Sequence, residues 1–142
     1  MIENFIKFII NKNEEYVIFD IGSRDCLQSI EFYNTFPNAK IYAFECNPNT
    51  LDICIKNIEN YVQDEIIINC HRLDTIIKKN NIDKVDIIWM DLQGAELLAL
   101  KGLGSYLNRV KFIHTKVSYK EIYTGQVMFN ELHNLIKGND FK

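Results

Sequence analysis

The sequence predicts an α/β fold in which helices cover both faces of a mostly parallel sheet of about five strands. Short apolar runs alternate along the chain with stretches at helical spacing, which is typical of consecutive strand–helix–strand units. Two of these runs end in a carboxylate, Val17 to Asp20 and Ile41 to Glu45. One helix-length stretch separates them, so the pattern indicates the front half of a nucleotide-binding unit.

The remaining elements follow from periodicity and from turn residues. Pro37 ends the first helix of the unit, because the residue before a proline disfavours helix, and Asn47 caps the next helix with Pro48 in its first position. Gly138 and Asn139 stop the last helix. The predicted strands are 16–21, 40–45, 66–70, 85–91 and 111–118; the predicted helices cover 27–36, the residues from 48 onward, 74–79, 94–102 and 127–137.

Length and composition indicate one globular domain over residues 1–142. Apolar residues at helical spacing near the N-terminus predict that residues 1–12 form a helix packed on the core of that domain. The chain is 47% hydrophobic and 25% charged, and its net charge is −3. No basic cluster is present, so a nucleic acid is not a predicted partner. The apolar N-terminus is short, carries Glu3 and Lys7 and lacks a cleavage site, so neither a signal peptide nor a membrane span is predicted. The predicted location is the cytoplasm.

The four cysteines form no Cys-x-x-Cys pair, so neither a zinc site nor a redox motif of that kind is predicted. We interpret them as small buried hydrophobic residues in a reducing compartment. They are Cys26, Cys46, Cys54 and Cys70.

The turn after the first strand discriminates between nucleotide ligands. A dinucleotide requires Gly-x-Gly-x-x-Gly for its pyrophosphate, whereas this turn offers only Gly22 and places carboxylates at Asp20 and Asp25. A nicotinamide-dependent oxidoreductase is therefore disfavoured. S-adenosylmethionine fits better, because it has no phosphate, an amino group for the acidic turn and a ribose for Glu45.

Several stretches resemble the FkbM-type methyltransferases. The resemblance extends from about residue 17 to residue 136, and residues 91–102 are its most specific part. It implies a class I S-adenosylmethionine-dependent enzyme with a Rossmann-like three-layer α/β/α sandwich, which typically methylates a hydroxyl of a sugar or another small metabolite. The stretches are residues 20–25, 36–39, 43–48 and 86–102, with weaker similarity at 72–75 and 114–126.

Transferred position by position, the resemblance assigns a role to two groups of residues. Asp91, at the carboxyl edge of the sheet, would face the transferring methyl group, where it could orient the acceptor hydroxyl or accept its proton. Asp91 and His114 are the predicted catalytic residues. The predicted cofactor-binding residues are Asp20, Gly22, Ser23, Arg24, Asp25, Glu45, Cys46 and Asn47.

The chain also departs from the family pattern. Cys26 replaces a usual glycine, Lys116 replaces a glutamate in the last strand, and the antiparallel strands that close the family sheet do not follow the last helix. The stretch before Arg72 is shorter than usual, which leaves Asp64 or Glu65 as the adenine-side acid. A non-catalytic cofactor-binding or interaction module is therefore the alternative function, and an unpaired sheet edge makes self-association plausible.

Structural interpretations compete with several of these roles. Asp25 and Glu96 could simply place negative charge at helix N-termini. His114 lies in an apolar strand, where a histidine is more often part of the core than a base, and Lys116 could pair with Asp91. Asp91 and Glu96 lack a third ligand, so no metal is predicted.

Overall fold

The computed structural model describes residues 11–59, 61, 71–122 and 124–139. Within them the chain forms four parallel strands in the order β2-β1-β3-β4, confirming the predicted α/β fold. The strands are β1 (Val17–Ile21), β2 (Lys40–Phe44), β3 (Ile87–Met90) and β4 (Phe112–Thr115). The helices are α1 (Leu27–Thr35), α2 (Pro48–Ile58), α3 (Leu73–Lys79), α4 (Glu96–Gly102) and α5 (Phe129–Lys137), and a 3₁₀ helix covers Gly104–Arg109.

The strand order places a switch point between β1 and β3. From β1 the chain passes to β2 on one side, and it later returns to add β3 and β4 on the other side. Ile21, the last residue of β1, is paired in register with Phe44 of β2 and Met90 of β3. Three strands therefore end together at the edge where open α/β sheets bind their ligands.

Two separate cores lie on the two faces of the sheet, as a three-layer sandwich requires. On one face, Phe32 and Phe36 at the end of α1 pack against Ile18 and Trp89. The other face is covered by apolar side chains of α3, α4 and α5, such as Ile77, Leu100 and Leu132. The central strands are buried on both faces, which explains their continuous apolar runs.

Most predicted elements are found with small shifts at their ends. Asn47 caps α2 as predicted: its side chain accepts a hydrogen bond from Asn49 N (3.0 Å), with Pro48 in the first helical position. Helix α4 begins at Glu96, two residues later than predicted, because Gln93 and Gly94 adopt positive φ angles of 54° and 109°. The predicted strand 66–70 and the predicted N-terminal helix lie, almost entirely, outside the described residues.

Cys26 and Cys54 are buried as predicted, but the prediction that they are unpaired thiols is wrong. These residues form a disulfide between the start of α1 and the middle of α2, with their Cα atoms 4.9 Å apart. They are 28 residues apart in sequence and meet only because α2 packs beside the turn after β1, so a search for closely spaced pairs misses them. Cys46 is an exposed free thiol rather than a buried one.

None of the helices in the described residues combines enough length with enough apolar character to span a membrane.

Candidate active site

The candidate site lies at the carboxyl ends of β1, β2 and β3, where backbone hydrogen bonds join the chain segments that follow the strands. Gly22 N and Ser23 N both donate to Phe44 O, at 2.9 and 3.0 Å. Asp91 N donates to Ile21 O at 3.1 Å. The turn after β1 is thereby fixed to the ends of both neighbouring strands.

Gly22 is the point of closest approach between the turn and β3. Its φ angle is +81°, and a Cβ atom there would lie 2.4 Å from Asp91 O. No real Cβ contact is that short, so only glycine fits without displacing the end of β3. The single glycine that the sequence offered in this turn therefore brings the turn against Asp91.

The same turn holds two further residues in the left-handed region. Arg24 has a φ angle of 52° and Cys26 one of 60°. Side chains other than glycine enter this region at a cost, and such residues concentrate at functional sites. The segment after β3 shows the same feature at Gln93, so both sides of the switch point carry strained backbone.

Asp20 is buried rather than open to a ligand. Its side chain accepts a hydrogen bond from Ser29 Oγ of α1 (2.5 Å), and only 2% of the residue is exposed. Burial raises the pKa of Asp20 from 3.8 to about 6, against the opposing effect of the Ser29 hydrogen bond. Asp20 thus connects β1 to α1 beneath the turn, where Ser23 is also buried.

Glu45 closes the turn from the side of β2. Its two carboxylate oxygens accept hydrogen bonds from Arg24 N and Asn47 N, both at 2.6 Å. A carboxylate has about four acceptor positions, so two remain for further donors such as ribose hydroxyls. The acid predicted from the strand end is therefore held in a fixed orientation beside the turn.

The remaining predicted cofactor-binding residues differ in their contacts and in their exposure to solvent. Asp25 accepts from Leu27 N (3.4 Å) and pairs with the exposed Arg24 guanidinium (3.2 Å), as the helix-terminus interpretation predicts. The amide oxygen of Asn47 is used in capping α2. Cys46 is exposed directly after Glu45.

Glu96 plays the same part after β3 that Glu45 plays after β2. Its carboxylate accepts from Leu92 N (3.0 Å) and Gly94 N (2.9 Å), and the residue is only 5% exposed. The helix-terminus interpretation of Glu96 is confirmed. Among the described residues, no group of three or more histidine, cysteine or acidic side chains could hold a metal ion.

Asp91 is held by two side chains. Gln93 Nε2 donates to Asp91 Oδ1 at 2.8 Å, and the Lys116 ammonium pairs with Asp91 Oδ2. The pairing of Lys116 with Asp91 that the sequence suggested is confirmed. Asp91 is partly exposed, with 34% of its side chain accessible, and Lys116 is largely exposed.

A cavity of about 270 Å³ opens beside Asp91, between the ends of β3 and β4 and the start of α5. Its polar wall includes Gln126, whose amide donates to Ser118 Oγ (2.7 Å), and its apolar wall includes Ile122, Met128 and Phe129. Sequence reasoning did not single out these residues. Only their position in the chain indicated a role, because the loop after β4 leaves the same edge of the sheet as the turn after β1.

His114 occupies a different environment from Asp91. Its ring stacks on Trp89, with centroids 3.6 Å apart and planes 7° apart, and it does not line the cavity. Burial, and to a lesser degree Lys116, lowers the pKa of His114. Its Nδ1 atom is buried with no hydrogen-bond partner among the described residues. The catalytic role of His114 stays a prediction.

Comparison with known proteins agrees with this geometry. Residues 58–142, more than half of the chain, match the family described as the methyltransferase FkbM domain. The chain belongs to this family. The matched residues include the Asp91 segment, Lys116 and the cavity, whereas Gly22 and Glu45 precede them.

Individual relatives extend the similarity to the first part of this FkbM domain. A 2-O-methyltransferase, NoeI, from Sinorhizobium fredii is 23% identical, in a match that covers 84% of this chain and 70% of that protein. Precorrin-6y C5,15-methyltransferase from Geobacter metallireducens has a similar fold, with a TM-score of 0.62 and 19% identity over 92% of this chain. The match spans 65% of that structure.

A second solved structure supports the same fold assignment. It is a SAM-dependent methyltransferase from Aquifex aeolicus, with a TM-score of 0.59 and 16% identity, and the match covers 99% of this chain and 79% of that one. The predicted Rossmann-like fold of the FkbM domain is therefore confirmed.

Proposed function

We propose that this FkbM domain is an S-adenosylmethionine-dependent methyltransferase that acts on a hydroxyl group of a small molecule. The observation that carries the proposal is the contact between Gly22 and the main chain of Asp91. It joins a turn suited to the cofactor to a carboxylate that borders a cavity. Donor and acceptor would therefore meet at one place, and such alignment supplies much of the rate of a displacement reaction.

The residues around the turn fit this cofactor. Glu45 is fixed by two backbone N–H groups and keeps acceptor positions for ribose hydroxyls. The glycine-poor, acidic turn lacks the bare backbone that a pyrophosphate needs. When bound, S-adenosylmethionine supplies an electrophilic methyl group on a sulfonium. The predicted acid on the adenine side, Asp64 or Glu65, lies outside the described residues.

Asp91 is the group we propose for handling the acceptor hydroxyl. Gln93 and Lys116 each bind one of its oxygens, which restricts its orientation at the mouth of the cavity. A carboxylate within hydrogen-bond reach of the hydroxyl can orient it and accept its proton as the oxygen–carbon bond forms.

A sugar is the acceptor class that we propose. The cavity combines a polar wall, with Ser118 and Gln126, and an apolar wall, with Ile122 and Met128, which suits a ring that carries hydroxyl groups around apolar carbons. Its volume of about 270 Å³ suits a single ring. The relative from Sinorhizobium fredii is a 2-O-methyltransferase, which agrees with methyl transfer to oxygen.

Cofactor binding tests the first part of the proposal. Calorimetric titration of the purified protein with S-adenosylmethionine and with S-adenosylhomocysteine should give a stoichiometry of one, and Glu45→Ala should weaken both by roughly tenfold. Glu15→Ala is the matched control, because Glu15 is an exposed acid before the opposite end of β1. Absence of binding to the wild-type protein at millimolar ligand would reject the cofactor and the chemistry together.

A turnover assay distinguishes the enzyme from a non-catalytic module. The module stays the second candidate because Lys116 pairs with Asp91 at an exposed position. Transfer of a radiolabelled methyl group to a panel of monosaccharides and simple alcohols should be detectable and should fall at least a hundredfold in Asp91→Asn. His114→Asn tests the second predicted catalytic residue in the same assay. Cofactor binding without transfer to any member of the panel would favour the module.

A further inference from the structure

We infer that Lys116 compensates the negative charge of the Asp91 carboxylate and thereby sets the net charge that the site presents to the transferring methyl group. The inference rests on the proposed function and concerns a residue that departs from the family pattern. Lys116 acts here as a positioning residue, because it works through Asp91.

Asp91 belongs to both halves of the site. Its carbonyl oxygen occupies the space that a Cβ atom at Gly22 would need, and its side chain lines the cavity. A charge on this carboxylate therefore acts on a ligand bound beside the Gly22 turn and on a ligand bound in the cavity. Such a charge interacts over several ångströms, and burial by ligands strengthens the interaction.

Lys116 is the only cationic side chain among the described residues that line the cavity. Its ammonium contacts Asp91 Oδ2, while Asp91 Oδ1 is bound by the uncharged Gln93. The other acid in the lining, Glu96, is turned toward two backbone N–H groups and is buried. Removal of Lys116 would therefore leave Asp91 with its full negative charge and no compensating cation in the cavity lining.

The donor and its product differ in one charge, because the sulfonium of S-adenosylmethionine is a cation and the thioether of S-adenosylhomocysteine is neutral. An uncompensated Asp91 would bind the sulfonium more tightly than the thioether. That attraction would fade as the positive charge leaves sulfur, so it would stabilise the ground state more than the transition state and would slow transfer. Lys116 limits this ground-state attraction.

The ratio of the dissociation constants for S-adenosylhomocysteine and S-adenosylmethionine measures this charge without an acceptor. By calorimetry at low ionic strength, Lys116→Met should raise the ratio by roughly three- to tenfold, and added salt should reduce the change. Lys116→Arg, which keeps the charge, should restore the wild-type ratio. Lys101→Met is the matched control, since it removes an exposed charge at the end of α4, which does not line the cavity.

Asp91→Asn completes the test. In its background Lys116→Met should no longer raise the ratio, because the two residues act as a pair. Circular dichroism before each titration shows that the variants are folded, as expected for two partly exposed side chains. An unchanged ratio in Lys116→Met would overturn this inference alone. Failure of the wild-type protein to bind either compound would overturn the proposed function and this inference with it.

Discussion

The two sides of the candidate site are built on the same plan and differ in how they are closed. After β2 and after β3, one glutamate binds two backbone N–H groups of the adjoining turns: Glu45 on the side proposed for the cofactor, which includes the turn after β1, and Glu96 beside the cavity. The cofactor side is closed further by the buried Asp20–Ser29 bond and by the disulfide. The cavity side ends in an exposed ion pair and a loop.

This difference indicates that the turn after β1 is more rigid than the loop that borders the cavity. A turn whose backbone is fixed by buried contacts is preorganised for a constant ligand, which lowers the entropic cost of binding it. A cavity bordered by a loop can change its lining without disturbing the strands. We therefore expect substitutions at the buried contacts on either side of the site to lower the stability of the fold, and substitutions in the loop that borders the cavity to affect selectivity.

Gly22→Ala should have the largest effect, because it breaks the contact between the two sides. The added Cβ would lie 2.4 Å from Asp91 O at a φ angle of +81°, so both a steric clash and backbone strain are introduced. We expect the free energy of unfolding to fall by about 4 kcal/mol, measured by urea denaturation.

Gly125→Ala is the matched control for that substitution. Gly125 also has a positive φ angle (+77°), but a Cβ atom there would have no neighbour within 4 Å among the described residues. It should cost only the strain, about 1 kcal/mol. Equal losses in the free energy of unfolding for the two variants would show that the close approach of Gly22 to Asp91 does not contribute to stability.

Loss of the disulfide, which lies on the side proposed for the cofactor, should have the next largest effect. The bridge closes a loop with a sequence separation of 28 residues, for which chain-entropy arguments give about 3.5 kcal/mol. Replacing Cys26 and Cys54 together by alanine should lower the free energy of unfolding by about that amount. Cys46→Ala, at an exposed free thiol, should leave it unchanged.

Peptide mapping by mass spectrometry without reductant checks the bridge directly, and free thiols at both positions would contradict it. Disulfides are rare in a reducing cytosol. The same mapping on protein taken directly from cells therefore also tests the predicted cytoplasmic location.

The pH dependence of stability should report the buried Asp20. Its pKa is about 6 in the folded protein instead of 3.8, so between about pH 4 and pH 6 the folded state binds more protons than the unfolded state. Stability from this group is therefore lost as the pH rises through that window. The full difference is about 3 kcal/mol at pH 7, since one pKa unit corresponds to about 1.4 kcal/mol.

Asp20→Asn removes this titration. The variant should gain stability relative to the wild type as the pH rises from 4 to 7, as measured by urea denaturation at several pH values. Asp83→Asn, at an exposed aspartate, serves as the control. A constant difference between Asp20→Asn and wild type across the window would contradict the raised pKa.

The smallest expected effects come from substitution of Glu45 and Glu96, which compare the two sides of the site directly. Glu96→Gln replaces one of two buried acceptor oxygens by an amide that faces a backbone N–H group, which should cost about 2 kcal/mol of stability. Glu45→Gln makes the same change at a partly exposed position and should cost about 1 kcal/mol. A larger loss at Glu45 would reverse the order that burial predicts.

The sequence predicted the parts of the fold that depend on local pattern. The acids at the carboxyl ends of three strands were predictable because each of them, Asp20, Glu45 and Asp91, follows a continuous apolar run. The cap at Asn47 was predictable because capping acts between neighbours in the chain. These features require no knowledge of which elements pack together.

The parts that sequence reasoning missed depend on contacts between distant segments. Cys26 meets Cys54 through the packing of α2, and Asp20 is buried because Ser29 of α1 lies above it. Ser118 and Gln126 line the cavity because the loop after β4 folds back toward α5. No periodicity marks such contacts, so their chemistry becomes visible only in three dimensions.

The stack of Trp89 on His114 has a consequence for experiments on the site. Trp89 is the single tryptophan of the chain and lies two residues before Asp91. Indole fluorescence is quenched by a protonated imidazole in contact with it. Because burial lowers the pKa of His114, that quenching should appear only at a pH below the ordinary range of histidine. The single tryptophan therefore reports the protonation of His114 without an added dye.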